Sequence, residues 1–327
     1  MRRRIISAIL ILVLILFAFA FTCYAETEKS AKKSADEAFH TKNDSGHAQI
    51  YRPDKSENEY LQRLIKTKAD KFEVRTYSDD RTGLAISYDV YLPEDYSTDK
   101  KYPVVFFVGD ASCVNKPPMY SVTQGLGALV WTEHECIVIV PTFPEVIIDD
   151  HDGFTVSEYY EVLSDFKTDI ETMYSIDPSR IYATGQSMGC MAFMRMAGEA
   201  PEGFSACLFV SGQWDIHDLV NLSGATFTYA VSCGDDKASK GQREVLDNMF
   251  TDMSYALYDN IDAEDQNISL HPSQHRNFIR YKKGTTIPYY LRDEKRGYSE
   301  HMSSFDYVYA NKEIRDWLLS QRKLDAQ

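Results

Sequence analysis

Ile181-Tyr182-Ala183-Thr184-Gly185-Gln186-Ser187-Met188-Gly189-Cys190-Met191-Ala192-Phe193-Met194-Arg195-Met196-Ala197 is the stretch on which the reading of this chain turns. Ile181 to Thr184 suits a buried strand, Met191 to Ala197 suits a helix, and a Gly-x-Ser-x-Gly turn joins them. So sharp a turn puts its central serine into a strained backbone conformation. Gly185 and Gly189 are needed where a side chain would collide with the neighbouring strand or helix. Ser187 is thereby presented at the carboxyl edge of a sheet, framed by Gly185, Gln186 and Gly189. The helix after it points its amino end at the site, so the backbone N–H of Met188 is a candidate oxyanion donor.

Outward from this turn, apolar strand-like runs alternate with helical patterns from about Tyr60 onward, which argues for a mostly parallel sheet covered by helices. Lys71 to Tyr77 and Leu84 to Tyr91 alternate apolar and polar residues, predicting an antiparallel edge hairpin turning at Arg81-Thr82-Gly83. Pro103 to Val108 and Cys136 to Val140 are continuous apolar runs, suited to strands buried on both faces. Tyr159, Leu163, Phe166, Ile170 and Met173 share one helix face, and Asp177-Pro178 is expected to end that helix and turn the chain into a strand from Arg180 to Thr184. Further strands are expected at Ala206 to Val210 and Thr226 to Ser232. A last helix from near Asn311 buries Ile314, Trp317 and Leu318.

A strand, a Gly-x-Ser-x-Gly elbow and a helix in this order resemble the α/β-hydrolase pattern, a doubly wound, mostly parallel sheet whose catalytic partners follow in the order serine, acid, histidine. That order excludes His40, His47, His134 and His151, and His217 precedes any suitable acid. His271 and His275 lie in a polar stretch without strand character. Their spacing hints at a metal, but no Glu follows His271 to complete a zinc-protease pattern, so no metal or other cofactor is expected. His301 stands in Tyr298-Ser299-Glu300-His301-Met302-Ser303-Ser304, read as a loop after the apolar Ile287 to Leu291 run and before the final helix, and is the candidate general base. The acid is expected just after the Thr226 to Ser232 strand, where Gly234-Asp235-Asp236 offers two adjacent carboxylates, one to hold the imidazole and the other to cap the turn.

The 327 residues, 44% of them hydrophobic, suffice for one large α/β domain, expected over residues 58–322. Arg2, Arg3 and Arg4, the apolar run Ile5 to Phe21 and the small residues around Cys23 and Ala25 read as a signal peptide over residues 1–25, so the protein is expected to be secreted or held at the cell surface. An uncleaved anchor or a lipid-modified Cys23 are the alternatives, and they are the only membrane association expected. Residues 26–57 have the composition of a solvated linker. A formal charge of −14 argues against nucleic-acid binding. The five cysteines beyond the leader, Cys113, Cys136, Cys190, Cys207 and Cys233, are odd in number and mostly apolar in setting, so buried thiols are expected rather than a disulfide framework.

Longer stretches carry a closer resemblance. Ile176-Asp177-Pro178-Ser179-Arg180-Ile181-Tyr182 leading into the elbow, Phe204-Ser205-Ala206, Tyr91-Leu92-Pro93, Tyr102-Pro103, Glu300-His301-Met302-Ser303-Ser304-Phe305 and Arg315-Asp316-Trp317-Leu318 resemble the predicted-peptidase and polyhydroxybutyrate-depolymerase-like esterases, over about Lys71 to Gln321. The resemblance implies a serine esterase of the superfamily that includes feruloyl and acetylxylan esterases, acting on a small-molecule ester or an acylated glycan. It also favours Asp235 over Asp236 as the acid. The family's His-Gly after the third strand is here Val108-Gly109, followed by Asp110 and Ala111, whose backbone is the second candidate oxyanion donor. A charged Asp110 side chain would oppose an oxyanion unless it is turned away. Cys190 replaces a second glycine after the elbow.

A peptidase with the same triad is the nearest alternative, and a catalytically inactive glycan or cell-wall binding module is the alternative from another class. Trp214 and Gln213 are candidate walls of a substrate pocket, with Tyr120, Trp131 and Phe143 in loops expected to cap it.

Overall fold

The computed structural model describes residues 54–151, 153–251, 254–262, 268–288 and 299–323. The leader, most of the polar segment after it and residues 289–291 of the apolar run before His301 lie outside the described residues. Among the described residues no helix is long and apolar enough to cross a membrane.

The chain begins with α1 (Glu59–Lys68) and the hairpin β1 (Phe72–Ser78) and β2 (Ala85–Tyr91), then β3 (Tyr102–Val108), two short helices, α2 (Tyr120–Thr123) and α3 (Leu126–Leu129), and β4 (Ile137–Thr142). A small hairpin, β5 (Ile148–Asp149) and β6 (Thr155–Val156), leads to α4 (Glu158–Met173), β7 (Ile176–Gln186), α5 (Met188–Glu199), β8 (Ala206–Val210) and β9 (Phe227–Ser232). The last third holds α6 (Asp236–Met249), β10 (Ala256–Ile261), β11 (Arg276–Tyr281), α7 (Glu300–Ala310) and α8 (Lys312–Ser320). Nine strands form one sheet in the order β1-β2-β4-β3-β7-β8-β9-β11-β10. The β1–β2 and β2–β4 pairs are antiparallel and all the others parallel, so β2 alone runs against the rest.

The alternation of side chains along each strand explains the two helical layers. Val105 and Phe107, Val138 and Val140, and Leu208 and Val210 join a core with Leu64, Trp131, Phe305, Tyr309 and Trp317 from α1, α7, α8 and the turn after α3. Phe107 meets Tyr309 edge-on at 5.8 Å. On the opposite face Phe166 of α4 packs against Tyr77 and Tyr88, and Phe193 of α5 against Phe204. Full burial of each such side chain is worth about 1.5–3 kcal/mol, and that sets the register of a sheet whose central strands are covered on both sides.

Several expectations change. Asp177-Pro178 does not precede the strand but lies within β7, at an irregularity where Tyr102 pairs with Ile176 and Val104 with Ile181. A proline fits there because the bulge needs no ladder hydrogen bond from it, and the Asp177 carboxylate takes over by accepting from Ser179 N at 3.0 Å and Arg180 Nε at 2.6 Å. The stretch around His271 and His275 leads directly into β11, and β10 is a further strand without strong apolar character. Ile287 and Pro288 belong to no strand. Trp131 is not in a capping loop; it is fully buried and donates from Nε1 to Gly127 O at 2.7 Å. The five described cysteines are all free, four of them buried and Cys233 partly exposed.

Candidate active site

The elbow joins β7 to α5 as a strained turn. Ser187 has φ 51° and ψ −112°, a left-handed value of φ that costs on the order of 1–3 kcal/mol and is held only by its surroundings. Those surroundings are tight. A Cβ on Gly185 would lie 2.3 Å from the Gly189 carbonyl carbon, and one on Gly189 would lie 2.1 Å from Val108 O. Ser187 N donates to Val210 O at 3.0 Å and Gly189 N to Gly109 O at 3.1 Å, so the turn is tied to β8 and to the loop after β3. Met188 opens α5, with its N–H among the first-turn groups that have no intrahelical acceptor.

His301 and Asp235 reach Ser187 from the ends of other elements. His301 Nε2 is 2.9 Å from Ser187 Oγ, and His301 Nδ1 is 2.6 Å from Asp235 Oδ2. His301 sits not in a loop but in the first turn of α7, where its ring meets Phe305 one turn later. Asp235 occupies the N-cap position of α6, yet its side chain makes no capping bond and turns to the imidazole instead. Asp236 follows as the first helical residue. Its side chain is 68% exposed, and its carboxylate lies 3.6 Å from Lys240 Nζ, so it caps no turn. Ser187, Asp235 and His301 therefore form one hydrogen-bonded chain, and Asp236, His271 and His275 stand outside it.

Electrostatics favour the imidazolium. Burial works against the charged ring, but the hydrogen bond and charge of Asp235, with the charges of Asp110 and Asp150, outweigh it and raise the His301 pKa above its usual value. The Asp110 side chain is buried and occupied. It accepts from Gln186 Nε2 at 2.8 Å and Ser112 N at 2.9 Å, and also from the Ser112 hydroxyl. Gln186, the second residue of the elbow motif, thus clamps the Asp110 carboxylate, leaving Ala111 to open the short 3-10 turn Ala111–Cys113. Cys190 lies fully buried under the elbow, its thiol pushed up by burial.

Of the expected pocket residues, Trp214 is buried, donates to Asp218 Oδ2 at 2.8 Å and packs edge-on against the half-exposed Phe154 at 5.0 Å. Gln213 donates to Asp150 Oδ2 at 3.1 Å. Phe143 is buried after β4, and Tyr120 begins α2. Asp149, Asp150 and His151 are the one group among the described residues with metal-ligand spacing, but Lys237 Nζ already lies 2.9 Å from Asp150 Oδ2. Two supports of α7 were not singled out from the sequence. Ser211, at φ 50°, shares a 2.8 Å hydrogen bond with Ser304, whose hydroxyl also donates to His301 O at 2.9 Å. Only the position of Ser211, directly after a strand end, hints at such a role.

No family model matches the chain, and no curated protein matches it in sequence. Among solved structures it is similar to a thermostable esterase, with TM-score 0.62 and 24% identity over 78% of this chain and 64% of that one. It is also similar to the fluorophosphonate-binding serine hydrolase F of Staphylococcus aureus, with TM-score 0.50 and 11% identity over 76% of this chain and 98% of that one. The chain spans less than two thirds of the thermostable esterase's length. With the mixed nine-stranded sheet, these likenesses identify the α/β-hydrolase fold.

Proposed function

We propose that the protein is a serine carboxylic ester hydrolase acting through an acyl-enzyme, with Ser187 as nucleophile, His301 as general base and Asp235 as the carboxylate that orients it. The observation carrying this reading is the unbroken chain from Ser187 Oγ through His301 to Asp235, with hydrogen bonds of 2.9 and 2.6 Å, built on a serine held at positive φ. Positive φ alone is shared by Ser211; what sets Ser187 apart is that its strained turn holds Oγ against an imidazole.

In this mechanism His301 Nε2 takes the Ser187 proton as Oγ attacks the ester carbonyl, and Asp235 keeps the other proton on Nδ1 and stabilises the imidazolium. The N–H of Met188, at the amino end of α5, and a backbone N–H of the Asp110-Ala111 turn are the donors this mechanism assigns to the developing oxyanion. Collapse expels the alcohol, protonated by His301. Water deprotonated by the same imidazole then attacks the acyl carbon and frees Ser187. The substrate class is a small-molecule ester.

The test is Ser187→Ala with two readouts, p-nitrophenyl acetate turnover and covalent labelling by a fluorophosphonate. The wild type is expected to turn over the ester and label once, and the variant to fold, remain unlabelled and lose turnover by several orders of magnitude. A folded wild type that neither labels nor hydrolyses would favour the inactive binding module.

A further inference from the structure

Glu300 is the residue before the candidate base, and it is 6% exposed. Its carboxylate meets donors from two other segments. Ser232 Oγ, at the end of β9, donates to Oε2 at 2.5 Å. In the turn after β11, Gly284 N donates to both oxygens at 3.0 and 2.9 Å, and Thr286 Oγ1 lies 3.4 Å from Oε2. No Lys, Arg or His among the described residues forms an ion pair with it. A buried carboxylate without a cation is costly unless its lone pairs are satisfied. Here they are met by two hydroxyls and one backbone N–H, drawn from the end of β9 and the turn after β11.

The acid turn is built against this carboxylate. Ser232 Oγ accepts from Gly234 N at 3.1 Å while donating to Glu300, giving a relay from the acid turn through Ser232 into α7. A Cβ on Gly234 would lie 2.0 Å from Glu300 Oε1 and 2.2 Å from its Cδ. A side chain on Gly234 would therefore push the Glu300 carboxyl out of the place where Ser232 and Gly284 hold it. Asp235 is the residue after Gly234 and His301 the residue after Glu300, so the close approach of Gly234 to Glu300 sits beside the 2.6 Å bond between Asp235 and His301.

We infer that Glu300 is a positioning residue for the proposed hydrolase, holding the acid turn of β9 against the base-bearing end of α7 and so setting the Asp235–His301 hydrogen bond. The inference rests on the ester-hydrolase reading. It requires that removing Glu300 act through that bond and not merely loosen the fold. A displacement of order 1 Å between catalytic groups costs on the order of 100-fold in rate.

The experiment measures kcat and KM for p-nitrophenyl acetate, per site labelled exhaustively by fluorophosphonate, in the full chain carrying Glu300→Ala, Asp235→Asn or both. Glu300→Ala is expected to lower kcat per labelled site by about 10- to 100-fold with KM within about twofold. The acid limb of its kcat/KM profile should move to lower pH as the imidazolium loses its partner. In the Asp235→Asn background the same change should cost less than about threefold, because groups acting through one bond are not additive. If Glu300→Ala fails to fold, Glu300→Gln, which keeps an acceptor for Gly284 N, and Ser232→Ala, which cuts only the relay, take its place and should show smaller losses with the same pattern. Full kcat per labelled site alongside a lower Tm, or losses that simply multiply with Asp235→Asn, would overturn the positioning role. A harmless Asp235→Asn would instead sink the triad reading itself, so the two failures are distinguishable.

Discussion

Replacing Asp235 by asparagine separates two carboxylates that stand side by side in the chain and in quite different places in the fold. Asp235 Oδ2 is 2.6 Å from His301 Nδ1, and the residue is 8% exposed. An asparagine amide facing Nδ1 selects the tautomer whose Nε2 carries the proton, and that tautomer cannot accept one from Ser187. Loss of the orienting carboxylate costs about 10⁴ in kcat in the serine-protease template, or about 5 kcal/mol of transition-state stabilisation, and we expect a loss of that order with KM little changed. Asp236 offers only an exposed pair with Lys240 at 3.6 Å, worth about 0.3–0.5 kcal/mol, and a helix N-terminal charge worth about 0.3–1 kcal/mol. Asp236→Asn should therefore lower stability by about 1 kcal/mol and leave kcat within about twofold. Steady-state turnover of p-nitrophenyl acetate, with thermal unfolding of each variant, measures both. Equal losses, or the larger loss at Asp236, would refute the assignment of the acid.

Two further expectations concern titration. A base with a raised pKa makes activity rise with pH through a midpoint above the ordinary imidazole value of 6.5; Asp150→Asn removes one of the anions responsible and frees the Lys237 cation, so the acid limb of kcat/KM should move to lower pH, and an unmoved or upward-shifted limb would contradict the electrostatic account. Asp89 is buried in β2, accepts from Met119 N at 3.0 Å through one oxygen, and has no hydrogen-bond partner for the other among the described residues. Burial raises its pKa from 3.8 to about 6. A folded pKa above the unfolded one means that the folded state gains stability as pH falls from about 6 toward 3.8, and that above about 6 the charge costs up to about 3 kcal/mol. Asp89→Asn should thus raise urea stability at pH 7.5 by about 1–2 kcal/mol, after allowing for its new unpaired amide, and the gain should shrink at pH 5. A gain that does not depend on pH would rule out the charge as its source.

The sequence carried the central sheet because its strands are continuous apolar runs buried on both faces, as with Pro103 to Val108. It obscured β11, where Asn277 and two arginines break the apolar pattern; the Asn277 amide is buried and donates to Thr228 Oγ1 at 3.1 Å, a pairing that only the sheet reveals. The edge strand β10 has mostly half-exposed residues and gave no burial signal at all. Ser187 was legible because an elbow is a local motif. His301 and Asp235 needed chain order and a resemblance as well, and the contacts of Glu300, Ser232 and Ser304 had no local signature, since each depends on elements that meet only in three dimensions. His301 was read as a loop residue because the polar run before it hid the start of α7.

The separation of the three residues along the chain has a consequence in time. Ser187 and His301 are 114 positions apart, and Asp235 and His301 are 66 apart. The elbow is built from β7, α5 and their neighbours, whereas the imidazole is placed by α7, whose Glu300 meets Ser232 at the end of β9 and the Gly284 turn after β11. Long-range pairings of this kind come late and close slowly. On the triad reading, a refolding chain is expected to shape its elbow before His301 reaches it. Recovery of turnover during refolding is then expected to follow the docking of α7 rather than the pairing of the sheet.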